Sequence, residues 1–197
     1  TLNVFDLLYL NGVFDFRLKM DELMIFTDVT ASLGDRPEEL GGNPIMGFHG
    51  MGLLVINGDG LGLQLDLSGG VDIASIIEID AEFQLDLNTS GKEYIYEVPE
   101  EFRYDEQDNP FGLQYATVTI TAGAPQIDGS VGEPGFYIVI AGAGNMLLAS
   151  AFEFEGSFFF EISHESFKLM LNAQTEFGSL GSFTTSSALM LYYGQDE

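Results

Sequence analysis

The chain has 197 residues, with 31 acidic side chains against 6 basic ones, a formal net charge of −25, and neither cysteine nor tryptophan. Such a surface repels phosphate backbones and anionic head groups, which excludes nucleic acid as a partner and favours cations, Ca²⁺ above all. Without cysteine there is no disulfide, thiolate nucleophile or thiolate metal site, while 46% hydrophobic residues can support a real core.

In chain order, Leu8, Leu10, Phe14, Phe16 and Leu18 alternate with polar residues, the two-residue period of a strand. The polar turn "MDEL" leads into a second strand, "RPEEL" at 36–40 reads as one helical turn, and "GLLVIN" is a third strand. "NGDG" at 57–60 is a strong hairpin signal. After "LGLQLDL", a long strand is expected from Ile73 to Asn88, with Ala81, or Gly156 in the matching later strand, the place for a bend. "EYIYEVPEEFRYDEQDNPFG" carries proline and many acids, and reads as an acidic surface loop inserted near 92–112.

The stretch "GFYIVIAGAGNMLLASAF", Gly135 to Phe152, resembles the opening of a dinucleotide-binding turn. Leu147 occupies the position of the third glycine, and Phe152, Phe154, Phe158, Phe160 and Ile162 then alternate as a strand where a helix is required. Gly142–Gly144 therefore reads as a turn between two strands. The run without charge from Phe136 to Phe152 is short for a membrane-spanning helix and broken by glycines. After "SHES" come the strands "FKLMLNAQTEF" and "ALMLYY", giving about eleven strands and no convincing helix.

Two ungapped self-matches organise this pattern. Residues 60–88 lie on 135–163, and residues 11–34 lie on 155–178, so copies begin at offsets of 69 and 75 residues. The expected units are 1–69, 70–144 with the acidic insertion, and a partial copy at 145–197. The fold expected is all-β: an elongated antiparallel sandwich, or a flattened barrel or solenoid, built from repeats of about 70 residues.

Strand alternation puts Glu78, Asp80, Glu82 and Asp86 on one face, with Glu153, Glu155, Ser157 and Glu161 as their counterparts. Stacked copies would make carboxylate columns, either a solvated acidic face or Ca²⁺ bridges. Asp105, Asp108 and Asn109 are candidate Ca²⁺ ligands in a loop, although the spacing of a twelve-residue calcium loop is missing. His164 reads as a turn histidine, and neither it nor His49 has the partners that acid–base catalysis needs. No nucleophile elbow, zinc helix or phosphate loop is present, so no catalytic residue and no enzyme are expected, and no cofactor beyond Ca²⁺. The phenylalanine stripe reads as sheet core.

The segments "EFQLDLNTSG" (82–91), "FYIVIAGAGNMLLASAFEFEGSFFFEIS" (136–163) and "FKLMLNAQTEFGSLGSF" (167–183) resemble tandem β-repeats of very long secreted or cell-surface bacterial proteins of the planctomycete kind. The resemblance implies an extracellular or cell-surface scaffold or fibre segment, associating with itself or with neighbouring repeats of its own chain, without catalysis. The chain, starting at Thr1, reads as a mature chain or an excerpt. Two alternatives stand beside this one: an outer-membrane β-barrel, whose strands alternate in the same way, and a module binding lipid or glycan in a sheet groove.

Overall fold

The computed structural model describes residues 2–4, 8–35, 42, 44–73, 76–107, 109, 112–148, 152–176 and 181–193. The helical turn expected at 36–40 lies outside them. Twelve strands follow one another: β1 (Leu2–Val4), β2 (Leu8–Leu18), β3 (Glu22–Leu33), β4 (Met46–Asn57), β5 (Gly60–Ile73), β6 (Ile77–Asn88), β7 (Tyr94–Glu97), β8 (Thr117–Ile120), β9 (Tyr137–Leu148), β10 (Phe152–Ser163), β11 (Ser166–Glu176) and β12 (Ser182–Tyr192). The only helical element among the described residues is a 3₁₀ turn at Glu100–Phe102.

Ten strands form one antiparallel sheet in the order β1-β2-β3-β4-β5-β6-β9-β10-β11-β12. Each hairpin passes its free edge to the next, because alternating strands joined by tight turns pair with their sequence neighbours. At 57–60 the Asn57 side-chain oxygen accepts from the backbone N–H groups of Asp59 (3.0 Å) and Gly60 (3.2 Å), closing the hairpin that "NGDG" announces. The sheet is open. β1 and β12 are its two edges, and the expectation of a closed, flattened barrel does not hold for the described residues.

A full sandwich is not formed either. The second layer is the connection between β6 and β9, in which β7 and β8 pair as a separate two-stranded sheet. Tyr94, Tyr96 and Val98 alternate inward and pack with Val118 and Ile120 on Met24, Phe26, Leu53 and Val55 of the large sheet. The segment expected as a surface loop thus supplies three buried residues of the main core, and β8 beyond it supplies two more. Its prolines and acids mark the polar connections, and the inward tyrosines escape a reading that weighs those alone. A smaller cluster joins Ala124 to Tyr137, Val139 and Phe159.

Two other expectations change. The long strand from Ile73 to Asn88 is divided, Ile73 ending β5 and Ile77 opening β6 as its direct partner. Gly142–Gly144 is no turn but the middle of β9, and Ala81, Gly144 and Gly156 lie side by side in unbroken ladders. A Cβ on Gly142 would sit 2.4 Å from the Phe158 ring of β10. The glycine makes room for an aromatic neighbour, as glycine within a strand often does.

Candidate functional site: two faces of opposite character

Directly paired residues point to the same side of a sheet, so the registers sort every side chain to one of two faces. One face carries Phe14, Phe16 and Leu18 on β2, Leu54 and Ile56 on β4, Leu63, Leu65 and Leu67 on β5, and Ile79, Phe83 and Leu85 on β6. It continues through Ile138, Ile140 and Met146 on β9, Phe154, Phe158 and Phe160 on β10, Leu169 and Leu171 on β11, and Leu189 and Leu191 on β12. Among the described residues of this face, from β2 to β12, there is no Asp, Glu, Lys or Arg. Among the described residues no second layer covers it: Phe14 is 64% exposed, Leu18 83%, Phe158 37% and Leu191 52%.

The opposite face carries both apolar cores under the 89–136 connection and is polar and hollow elsewhere. Three cavities of about 480, 650 and 520 Å³ lie along it, the last lined from β4 to β11 by His49, Asp66, Gln84, Ala141, Phe159 and Met170. The last hollow runs from β4 to β11 and is also bounded by Ile127 of the connection between β8 and β9. We call the hollowed face concave and the apolar face convex.

The sequence-derived acidic positions all lie on the concave face. Glu78 and Glu153 flank Leu147, Asp80 and Glu155 flank Asn145, and Asp86 and Glu161 flank Val139. The matched carboxylates are therefore carried by backbones two strand spacings apart, roughly 9.5 Å, with a β9 residue between each pair. Asp80, Glu82, Glu153, Glu155 and Ser157 are exposed, whereas Asp86 and Glu161 are buried. Among the described residues no group of three or more His, Asp or Glu side chains could hold a metal ion. Asp108 lies outside those residues. Asn109 donates its amide to the carbonyls of Arg103 (3.0 Å) and Glu101 (3.3 Å), and an Asp105 carboxylate oxygen accepts the Gln107 N–H at 2.8 Å, so both side chains shape their own loop. His164 sits exposed in the turn between β10 and β11, its backbone N–H on the Phe136 carbonyl. His49, on the concave face, pairs its Nε2 with Asp28 at 2.8 Å.

The 89–136 connection lies on the concave face as a strap, tied down at both sides. On one side Tyr96 donates to Asp15 at 2.7 Å, and Arg17 binds Asp15 (2.8 Å) and the Glu97 carbonyl (2.8 Å) while lying 4.3 Å over the Tyr96 ring. Tyr115 donates to Asp28. On the other side Lys168 donates to Gln126 (2.5 Å) and to Glu161 (3.0 Å), and Ser166 donates to Glu161 (2.9 Å). In the middle the Asn88 amide holds the carbonyls of Lys92 and Thr121 at 2.7 and 2.8 Å. Burial, then the hydrogen bond to its carboxylate, pushes the hydroxyl pKa of both Tyr96 and Tyr115 well above the usual tyrosine range. Among the described residues, Arg17 and Lys168 are the two Lys or Arg side chains that the large sheet turns to its concave face, and both serve as anchors. Sequence reasoning missed this set, because the partners are as far apart in the chain as Asp15 and Tyr96, and nothing local links them.

These features define an all-β protein whose open antiparallel sheet has an uncharged convex face and a strapped, polar concave one. The chain matches no protein-family model, no curated protein and no solved structure. No helix among the described residues is long and apolar enough to cross a membrane.

Proposed function

We propose that the sheet is part of the wall of a transmembrane β-barrel of the outer-membrane type, with its convex face in hydrocarbon and its concave face lining an aqueous interior. The convex face carries this reading: a soluble monomer rarely exposes a continuous apolar patch beyond a few hundred Å², and this one runs from β2 to β12 without a charge among its described residues. The occupant is lipid because the dimensions agree. The long strands have 11 to 14 residues. At ~3.3 Å per residue and a tilt of ~40° they rise roughly 28–35 Å, against about 30 Å of bilayer hydrocarbon. Apolar-out, polar-in alternation with sequence-adjacent antiparallel pairing is the pattern of that class. Bilayer also leaves no backbone group unpaired. The outer edge of β12 must then pair with a neighbouring copy of this sheet, in the same polypeptide or another molecule.

The test uses the absence of tryptophan. Phe158→Trp on the convex face and Asn172→Trp on the concave one each give a single reporter. After refolding into liposomes, brominated lipid should quench the Phe158 reporter several-fold more than the Asn172 reporter. Equal quenching, or protein left in the aqueous phase, sinks the reading.

A second reading is a structural repeat module of a long extracellular or cell-surface protein, similar to the tandem β-repeats described above. The registers favour it. Gly12 pairs with Val29 as Gly156 pairs with Ala173, in hairpins that the second self-match superposes. Asp80 pairs with Gly70 as Glu155 pairs with Asn145, in hairpins that the first superposes. By this reading β6–β9 repeat β2–β5 with the middle hairpin turned inward, and the convex face packs on another copy's sheet. A detergent-free dimer in which the Phe158 reporter is shielded from aqueous quenchers and ignores brominated lipid would select it.

A further inference from the structure

We infer that the 89–136 strap is a built-in plug, which narrows the aqueous passage at the end of the sheet where the β2–β3, β4–β5 and β10–β11 turns lie. This rests on the membrane reading and assigns the strap a task within it.

The strap's place is set by its attachment. It leaves β6 after Asn88 and re-enters at Tyr137, two residues that are direct partners in the ladder. A short turn would join them as one joins Asn57 to Gly60. The long excursion is therefore unnecessary for the sheet, and it crosses the concave face from β2 to β11. Its floor contacts, Met24 and Val55, lie near the turn ends of β3 and β4. Towards the other end the concave surface stays open, with Asp80, Glu82 and Asn145 exposed around the hollows. One end of the passage is filled and the other is a vestibule.

The attachments are also unequal in kind. One flank is packed, with the Phe26 and Tyr96 rings stacked at 4.5 Å. The other flank, around Ala124–Gly132, packs a single small residue, Ala124, on Tyr137, Val139 and Phe159, and is tied beyond it by the hydrogen bonds of Gln126 to Glu161 (3.2 Å) and Lys168 (2.5 Å). The strap is hinged on the β2–β4 side and latched on the β10–β11 side.

Ion conductance of the full chain in planar bilayers tests this. Replacing residues 93–134 by a four-residue Gly/Ser turn should raise conductance several-fold without loss of membrane insertion. Insertion with unchanged conductance would overturn the plug while leaving the membrane reading intact. A full chain that does not insert overturns both. Because the shortened chain uncovers Phe26 and Leu53, a second variant guards the test: Gln126→Cys with Lys168→Cys in a chain otherwise free of cysteine. The open latch should raise conductance, and a short thiol-bridging reagent should return it to the starting value. Conductance indifferent to bridging would overturn the latch and the plug with it.

Discussion

Phe26 and Tyr96 meet where the strap and the sheet share a core, the first fully buried and the second 1% exposed. Removing the Phe26 ring leaves a cavity against the stacked tyrosine, so Phe26→Ala should cost about 3–5 kcal/mol, read as a lower melting temperature. Tyr96→Phe keeps the packing and leaves Asp15 only its Arg17 bond among the contacts above, for a smaller loss of about 1–2 kcal/mol. The two anchoring tyrosines also predict an alkaline limit. An unrestrained tyrosine ionises near pH ~10, whereas Tyr96 and Tyr115 hold their protons to higher pH beside Asp15 and Asp28. The proton-binding form is then the attached strap. Its stability is complete below pH ~10 and falls as pH rises further, because the released tyrosines ionise first. Hydrogen exchange of residues 94–120 should accelerate above that pH in the wild type, and the step should vanish in a Tyr96→Phe/Tyr115→Phe double variant.

Hairpins are the units of this fold, and some of their glycines, Gly12 and Gly142 among them, are placed by close approach. A Cβ on Gly12 would lie 2.2 Å from the Asp28 carbonyl oxygen and 2.7 Å from the Val29 Cα. Both are backbone atoms that cannot swing aside, so Gly12→Ala must push β2 away from β3. The expected cost is about 1–3 kcal/mol, with lost exchange protection centred on Thr27–Val29; unchanged protection there would contradict the assigned register. The element scale was also where sequence was most readable. Alternation and the "MDEL", "NGDG" and "SHES" turns located β2, β3, β5, β10 and β11, since period and turn chemistry are local properties. The pairing of β6 with β9 was not readable, because it depends on a strand pair leaving the sheet. Gly142 misled for a related reason: a glycine that accommodates a cross-strand ring looks the same in sequence as one that bends the chain.

At the scale of the whole molecule, charge is partitioned more sharply than the net value of −25 conveys. The acids of the sheet gather on the concave face and in the connections, and the convex face takes none among its described residues. The composition announced an acidic protein. That this face is neutral among its described residues becomes visible only when the registers align the nine strands from β2 to β12, and the place of β9 between the two acidic rows is likewise set by pairing that alternation alone does not show. With lipid as the proposed occupant, the partition makes a simple prediction: Phe158→Lys on the convex face should abolish insertion into liposomes or lower it at least tenfold, whereas Asn172→Lys on the concave face should leave it within a factor of two.

β6 and β9 are ladder neighbours separated by the whole strap, so assembly cannot run as a single zipper from one edge to the other. Each half, β1–β6 and β9–β12, can close through adjacent hairpins, but the seam between them requires a long loop to be ordered first, which is slow relative to hairpin closure. The strap spans that seam and touches β3 on one side and β11 on the other, a placement that lets it splint the two halves as they join. A chain cut within the strap should therefore yield two fragments that fold separately and recombine, with the seam forming last.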